Sequence, residues 1–337
     1  MALPLPRVFS RPLADVLSRA GERLCAVETI ATSLQGRDIE LVTAGTGPLK
    51  LWFSCRQHPG ESMAEWWAKG FLDRLLDPSD DLARKIRAAA TIRIVPNMNP
   101  DGAFLGYLRT NACGANLNRE WAPTGEYHAP SKERSPEVLG VLELAKKTGC
   151  DLWVDVHGDE ELPHIFFAGS QGISGWNDRL AELYRLFATA QLAACPAFQL
   201  EHGYGNEEVG EANLAICSDH VADRFDCLAV TLEMPYKDTL ELREPSEGWS
   251  PGRCERLGAT MLNAVDAVLP YLRAEFPFGA AHRVAARHMY RRLPRSRLAV
   301  CSCAAGNGGI GDGLETPGWV KPGHPNPPSA HPFDTTK

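Results

Sequence analysis

Nothing in the chain approaches the roughly 20 consecutive apolar residues that a membrane-spanning helix requires. Long basic runs are absent too, and the net charge is −7 over 337 residues. Neither a phosphate backbone nor an anionic lipid surface finds a footprint, so nucleic acid and membrane are not expected partners. The front of the chain lacks an uninterrupted apolar segment. Arg7, Arg11, Arg19 and Arg23 are interleaved with Asp15 and Glu22, which argues against a secretory signal and leaves a mitochondrial presequence as the lesser reading. No internal repeat is present. The ten cysteines are scattered from Cys25 to Cys303 in a chain too large to need a disulfide framework, so free thiols in a reducing cytoplasm are expected.

Hydrophobic residues at 44% and charged residues at 23% suit a soluble chain that buries its core without staples. Two β-like runs, residues 27–33 and 38–43, flank the turn Gln35-Gly36-Arg37. Strand runs follow at 49–55, 91–96, 151–156, 165–168 and 227–232. Helical patterns cover 63–76, 135–147 (Ser135 as N-cap, Pro136 at the first helical position, Gly149 as stop), 176–192 and 252–276. Strands alternating with helices predict an α/β domain with a mixed, mostly parallel central sheet, in which ligands gather at the carboxyl ends of the strands. The expected division is an N-terminal remnant (1–25), a catalytic domain (26–278), and a basic, then Gly/Pro-rich, poorly ordered tail (279–337).

Four stretches carry chemistry. Gln57-His58-Pro59-Gly60-Glu61 follows the 49–55 strand and offers a nitrogen and a carboxylate to one zinc ion; alone, it reads as a polar turn. Asp155-Val156-His157-Gly158 closes another strand, with Asp155 and His157 on one face and Gly158 expected to allow a sharp turn. Two His and one Glu leave a coordination position open, the arrangement of a catalytic zinc. Glu233 interrupts the apolar run Thr231-Leu232-Glu233-Met234-Pro235, where burial is costly without a partner and where a base beside the metal would serve. Finally, Arg109 stands ready to meet an oxyanion, and Asn118 with Arg119 suits a peptide's terminal carboxylate. Read singly, these are surface charges on a polar loop.

Taken together and in order, the segments RQHPGESMA (56–64), VPNMNPDG (95–102), LRTNACGANLNREW (108–121), DVHGDE (155–160) and TLEMPYKD (231–238) resemble the zinc metallocarboxypeptidases. The nearest likeness is to the cytosolic carboxypeptidase-like branch and its bacterial relatives. The resemblance spans roughly residues 36–276. It implies a phosphorylase/hydrolase-like α/β domain holding one zinc ion on His58, Glu61 and His157. It also implies Glu233 as general base, Arg109 as transition-state arginine, and Asn118 and Arg119 as the carboxylate clamp. Peptide or protein C-terminal tails would be the substrate. Because eukaryotic members of the branch remove glutamates, acidic tails are implied, with Arg224 or Lys237 as candidate pocket cations.

Three departures stand out. Only 57 residues precede His58, so the β-sandwich domain of the branch is expected to be absent or a remnant, and sheet surface left bare would favour a homo-oligomer. Asn116 stands where many relatives carry Asp, a weaker support for the first His. The substrate-covering Tyr of the digestive relatives has no evident counterpart; Tyr204 and Tyr236 are the candidates. Other readings are a zinc-dependent N-acyl amino acid deacylase and a catalytically silent peptide-binding relative. The Gly306-Asn307-Gly308-Gly309-Ile310-Gly311 run matches a dinucleotide pattern, but prolines follow instead of a helix, so it is a composition accident. Cys301 and Cys303 read as incidental.

Overall fold

The four strands at the middle of the molecule explain where its chemistry ends up. The computed structural model describes residues 11–20, 24–205 and 207–279; the glycine run, Cys301, Cys303 and the tail lie outside them. Among these residues seven strands form one sheet in the order β1-β2-β4-β3-β5-β7-β6. β4 (Ala90–Val95), β3 (Leu49–Cys55), β5 (Leu152–Val156) and β7 (Leu228–Glu233) run parallel. β1 (Cys25–Thr32), β2 (Asp38–Ala44) and β6 (Phe166–Gly169) add antiparallel edges. β5 and β7 are buried at every residue, as parallel strands covered on both faces must be. Their carboxyl ends therefore open at one rim of the sheet.

The strands are held in register by aromatic side chains. Trp52 and Trp153 are direct partners on β3 and β5, stacked with ring centroids 5.2 Å apart, and Trp121 meets Trp153 edge-on at 5.5 Å. Such pairs each add about 0.5–1.5 kcal/mol beyond their burial. On one face, α2 (Met63–Leu75) packs on α8 (Pro251–Val268). A Cβ at Gly70 would lie 2.0 Å from the Glu255 carbonyl oxygen, and one at Gly258 2.1 Å from that of Trp67. Only glycine lets these backbones touch. α1 (Arg11–Ala20) contributes Val16 and Leu17 to the same core, so part of the front segment is integral to this body.

The remaining helices are α3 (Asp81–Ala89), α4 (Pro100–Leu105), α5 (Pro136–Thr148), α6 (Asp178–Ala194) and α7 (Cys217–Phe225). Two expectations need correction. The helix read over 252–276 stops at Val268, because Pro270 has no N–H to donate and its ring clashes with the preceding turn. α5 begins at Pro136 as expected, but Ser135 makes no capping bond. Its hydroxyl instead donates to Glu120 at 3.2 Å.

Candidate metal centre and active site

Immediately after β3, Arg56 adopts φ = 60°, a left-handed conformation that costs a side-chain-bearing residue energy. Its guanidinium pins the turn, donating to the Pro59 carbonyl at 2.9 Å and pairing with Glu65 at 2.5 Å. The turn delivers His58 and Glu61 to the rim, and β5 delivers His157 beside them. His58 Nδ1 lies 2.6 Å from Glu61 Oε1, His157 Nδ1 lies 2.8 Å from Glu61 Oε2, and the two Nδ1 atoms are 3.2 Å apart. All three side chains are buried.

The outer nitrogens are anchored. His58 Nε2 meets Asn116 Oδ1 at 2.9 Å, and His157 Nε2 meets Asp155 Oδ2 at 2.7 Å. Asp155 also accepts from Ser54 Oγ and Gln57 Nε2, each at 2.6 Å, while Gln57 accepts from Trp121 Nε1 at 2.9 Å. With their Nε2–H groups donated outward, both rings turn an Nδ1 lone pair inward. That fixes the tautomer a metal ligand needs. Asn116, though neutral, supplies the expected acceptor.

The electrostatics call for a cation at this spot. Burial works to raise the Glu61 carboxyl, but His157 and His58 outweigh it and bring it down to about 2. Burial likewise disfavours charge on His157, yet Asp155 and Glu61 lift it well above the ordinary imidazole value. Two imidazole nitrogens and a carboxylate, with ligand atoms all within 4.8 Å of one another, fit a zinc ion by donor type and number.

Glu233 ends β7 next to this cluster, since the His157 amide donates to the Leu232 carbonyl at 2.8 Å. Its Oε1 accepts from the Tyr204 hydroxyl at 3.2 Å, while Oε2 is buried with no partner. Burial raises its carboxyl to about 8; the His157 charge pulls down, and Glu61 and Asp159 push up. Gly158 is not needed for a left-handed turn. A Cβ there would press on Met63 Sδ at 2.5 Å, and its amide donates to Glu61 Oε2 at 3.1 Å.

Arg109 is exposed, but its charge reaches His58 and Tyr236. The Gly60 amide donates to the Leu108 carbonyl at 2.9 Å, which ties Arg109's segment to the His58 loop. Asn118 and Arg119 lie in a 3-10 turn, Leu117–Arg119. Asn118 Oδ1 accepts from the Cys217 amide at 2.8 Å, and Arg119 Nη1 donates to the Asn118 carbonyl at 2.7 Å. Tyr204, which no spacing singled out over Tyr236, is the tyrosine that touches Glu233; its hydroxyl also donates to Asp159 at 2.6 Å. Arg224 and Lys237 are both exposed.

The zinc carboxypeptidase family pattern matches residues 13–251. The chain belongs to the zinc carboxypeptidase family. It is 46% identical over 249 residues to an uncharacterized protein of Zymomonas mobilis, covering 74% of this chain and 64% of that one. Cytosolic carboxypeptidase 6 of Caenorhabditis elegans is 26% identical, over 62% of this chain and 46% of its own length. Among solved structures, the Pseudomonas aeruginosa metallo-carboxypeptidase, in complex with (2-guanidinoethylmercapto)succinic acid, has 44% identity and a TM-score of 0.72, covering 77% of this chain and 68% of that one. The Burkholderia cenocepacia metallo-carboxypeptidase has 41% identity and a TM-score of 0.72, covering 78% and 70%. The chain thus spans under two thirds of these two sequence relatives.

Proposed function

We propose that this chain hydrolyses the C-terminal peptide or isopeptide bond of peptide or protein tails, with one zinc ion held by His58, Glu61 and His157. The observation that carries the reading is Glu233 Oε2, a buried carboxylate oxygen with no partner beside three converging ligand atoms. A buried polar atom left unpaired costs about 1–3 kcal/mol, and a proton taken from an attacking water would satisfy it.

A bound zinc supplies Lewis acidity that polarises the scissile carbonyl and acidifies water. Burial raises the Glu233 carboxyl to about 8, and the charge of a bound zinc would favour its ionised form. So ionised, Glu233 accepts the water's proton on Oε2 and returns it to the departing amine, while Tyr204 steadies Oε1. Arg109 meets the negative charge that develops on the carbonyl oxygen. Asn118 and Arg119 hold the terminal carboxylate, a planar anion suited to a guanidinium fork. The succinic acid derivative bound to the Pseudomonas relative carries carboxylates of that kind, which supports the assignment.

The described cysteines are all free, and no described helix is long and apolar enough to cross a membrane; we assign the protein to the cytoplasm on the thiols. The test is hydrolysis of peptides with free C-termini, before and after zinc removal by a chelator, with N-acyl amino acids in parallel. Loss on chelation and recovery with zinc are expected. Activity that persists in the stripped protein, or confined to N-acyl amino acids, defeats the proposal.

A further inference from the structure

The loop that carries Arg109 and Asn116 is tied by one side chain that the chemistry above leaves unused. Asn111 lies between the two and is fully buried. Its Oδ1 accepts from the Cys113 amide at 3.2 Å, the Ala115 amide at 3.0 Å and the Cys113 thiol at 3.3 Å. The backbone closes on the same residue. Its amide donates to the Ala115 carbonyl at 2.9 Å, and its carbonyl accepts from the Gly114 amide at 3.0 Å. Gly114 completes the turn at φ = 85°, a left-handed conformation that glycine adopts without steric cost. Residues 111–115 are therefore a knot around one carboxamide.

The nitrogen of that carboxamide fastens the knot to the body. Asn111 Nδ2 donates to the Arg134 carbonyl at 2.8 Å and to Glu137 Oε2 at 3.4 Å, in the first turn of α5. Acceptor and donors are thus all engaged. Aspartate would lack the donors, and leucine would lack both. A second staple lies close by, where Arg134 Nε donates to both Glu120 oxygens at 2.9 and 3.1 Å.

On either side of the knot stand groups of the site. Two residues before it, Arg109 is exposed, so the fold governs its place through the backbone that carries it. Directly after it, Asn116 Oδ1 accepts from His58 Nε2 at 2.9 Å and from the Asn118 amide at 3.1 Å. The clamp has a further anchor of its own, Asn118 Oδ1 on the Cys217 amide.

We infer that Asn111 is a positioning residue for the hydrolysis, holding Arg109 where the oxyanion forms and Asn116 against His58. The inference rests on the proposed carboxypeptidase function. Placement acts steeply, since a shift of about 1 Å can cost about 100-fold in rate. Because the clamp is fastened separately, loosening the knot touches turnover and metal support more than substrate binding.

The test is Asn111→Ala, checked for folding by thermal melting and assayed zinc-saturated on a peptide with a free C-terminus. kcat should fall at least about tenfold while KM changes less than about threefold, the pattern of an interaction made only in the transition state. In an Arg109→Ala background the same change should cost less than about threefold, because residues that act through one another are not additive. Chelator competition, which needs no turnover, should show zinc held about tenfold more weakly. Gly114→Val forces the same turn out of its left-handed conformation without crowding a neighbour, since no atom lies within 4 Å of a Cβ there. It should give the same pattern in weaker form, and it decides the matter should Asn111→Ala not fold. An unchanged kcat, an equally large loss without Arg109, or an unchanged zinc affinity in the folded variant overturns the inference. If the unaltered zinc-loaded protein cleaves no such peptide, the carboxypeptidase reading itself falls, while the chelator competition still judges Asn111.

Discussion

Two groups of buried carboxyls share the segment 109–120 yet end in opposite states. In the metal pocket, Glu61 lies between two imidazoles and is brought down to about 2. Behind it, Asp101, Glu120 and Glu137 are all buried. Arg37 pairs with Asp101 at 2.7 Å, and Arg134 with Glu120 at 2.9 Å. No cation pairs with Glu137 among the described residues; its Oε2 accepts from Asn111 Nδ2 at 3.4 Å. Burial lifts it to about 7, with the Asp101 and Glu120 charges adding to the rise. Equal burial thus gives an anion where two imidazoles converge and a carboxyl that holds its proton to about pH 7 where the two nearby arginines are already engaged. Partners, not depth, decide the charge.

Removing a member of the metal pocket should have the largest effect. His157→Ala should abolish zinc retention and hydrolysis together, as read by metal analysis and peptide turnover. Glu233→Gln should keep its zinc while turnover falls by about 100- to 10,000-fold, the range for a lost general base; equal zinc loss in both variants would break the division of labour. Next, Asp155→Asn weakens an outer support without touching a ligand, and should lower zinc affinity by about 10- to 100-fold in a chelator competition. An unchanged affinity would mean that the His157 tautomer is set elsewhere.

On the other side of the comparison, Glu137 links stability to pH. Its folded value of about 7 lies above the ordinary 4.5, so the folded state holds this proton more tightly. Its contribution is complete below pH 4.5 and is lost as pH rises through 7. The loss amounts to about 3 kcal/mol at most. Denaturant melts from pH 5 to 8 should show this decline, and Glu137→Gln should flatten it; an unaltered slope would show that another group carries it. The smallest effect is expected from Ser135→Ala, which removes one hydroxyl donor from Glu120. A loss of about 1 kcal/mol is expected in the same melts, and a zero effect would mean that Arg134 alone satisfies that carboxylate.

Legibility from the sequence followed the range of the forces involved. β3, β5 and β7 were readable because apolar runs report burial on both faces, and His58, Glu61, His157 and Glu233 because each adjoins the end of such a run. The end of α8 was missed although Pro270 stood in the sequence, since apolar periodicity continued past it. α7 left no comparable trace. It is nine residues long and its N-cap position is Ile216, which offers no side-chain acceptor. The acceptor that caps it, Asn118 Oδ1, lies 99 residues away, so α7 was not readable locally.

What the sequence by itself determined is the parallel core and the identity of the groups at its carboxyl rim. Apolar runs and strand ends are local properties, and local properties survive in a linear string. What only the tertiary structure decided is pairing: Tyr204 rather than Tyr236 on Glu233, the outward anchoring of both imidazoles, and the start of α7 docked on Asn118. Those outcomes depend on distances of about 3 Å between segments far apart in the chain, where hydrogen bonds and buried charges are made or lost.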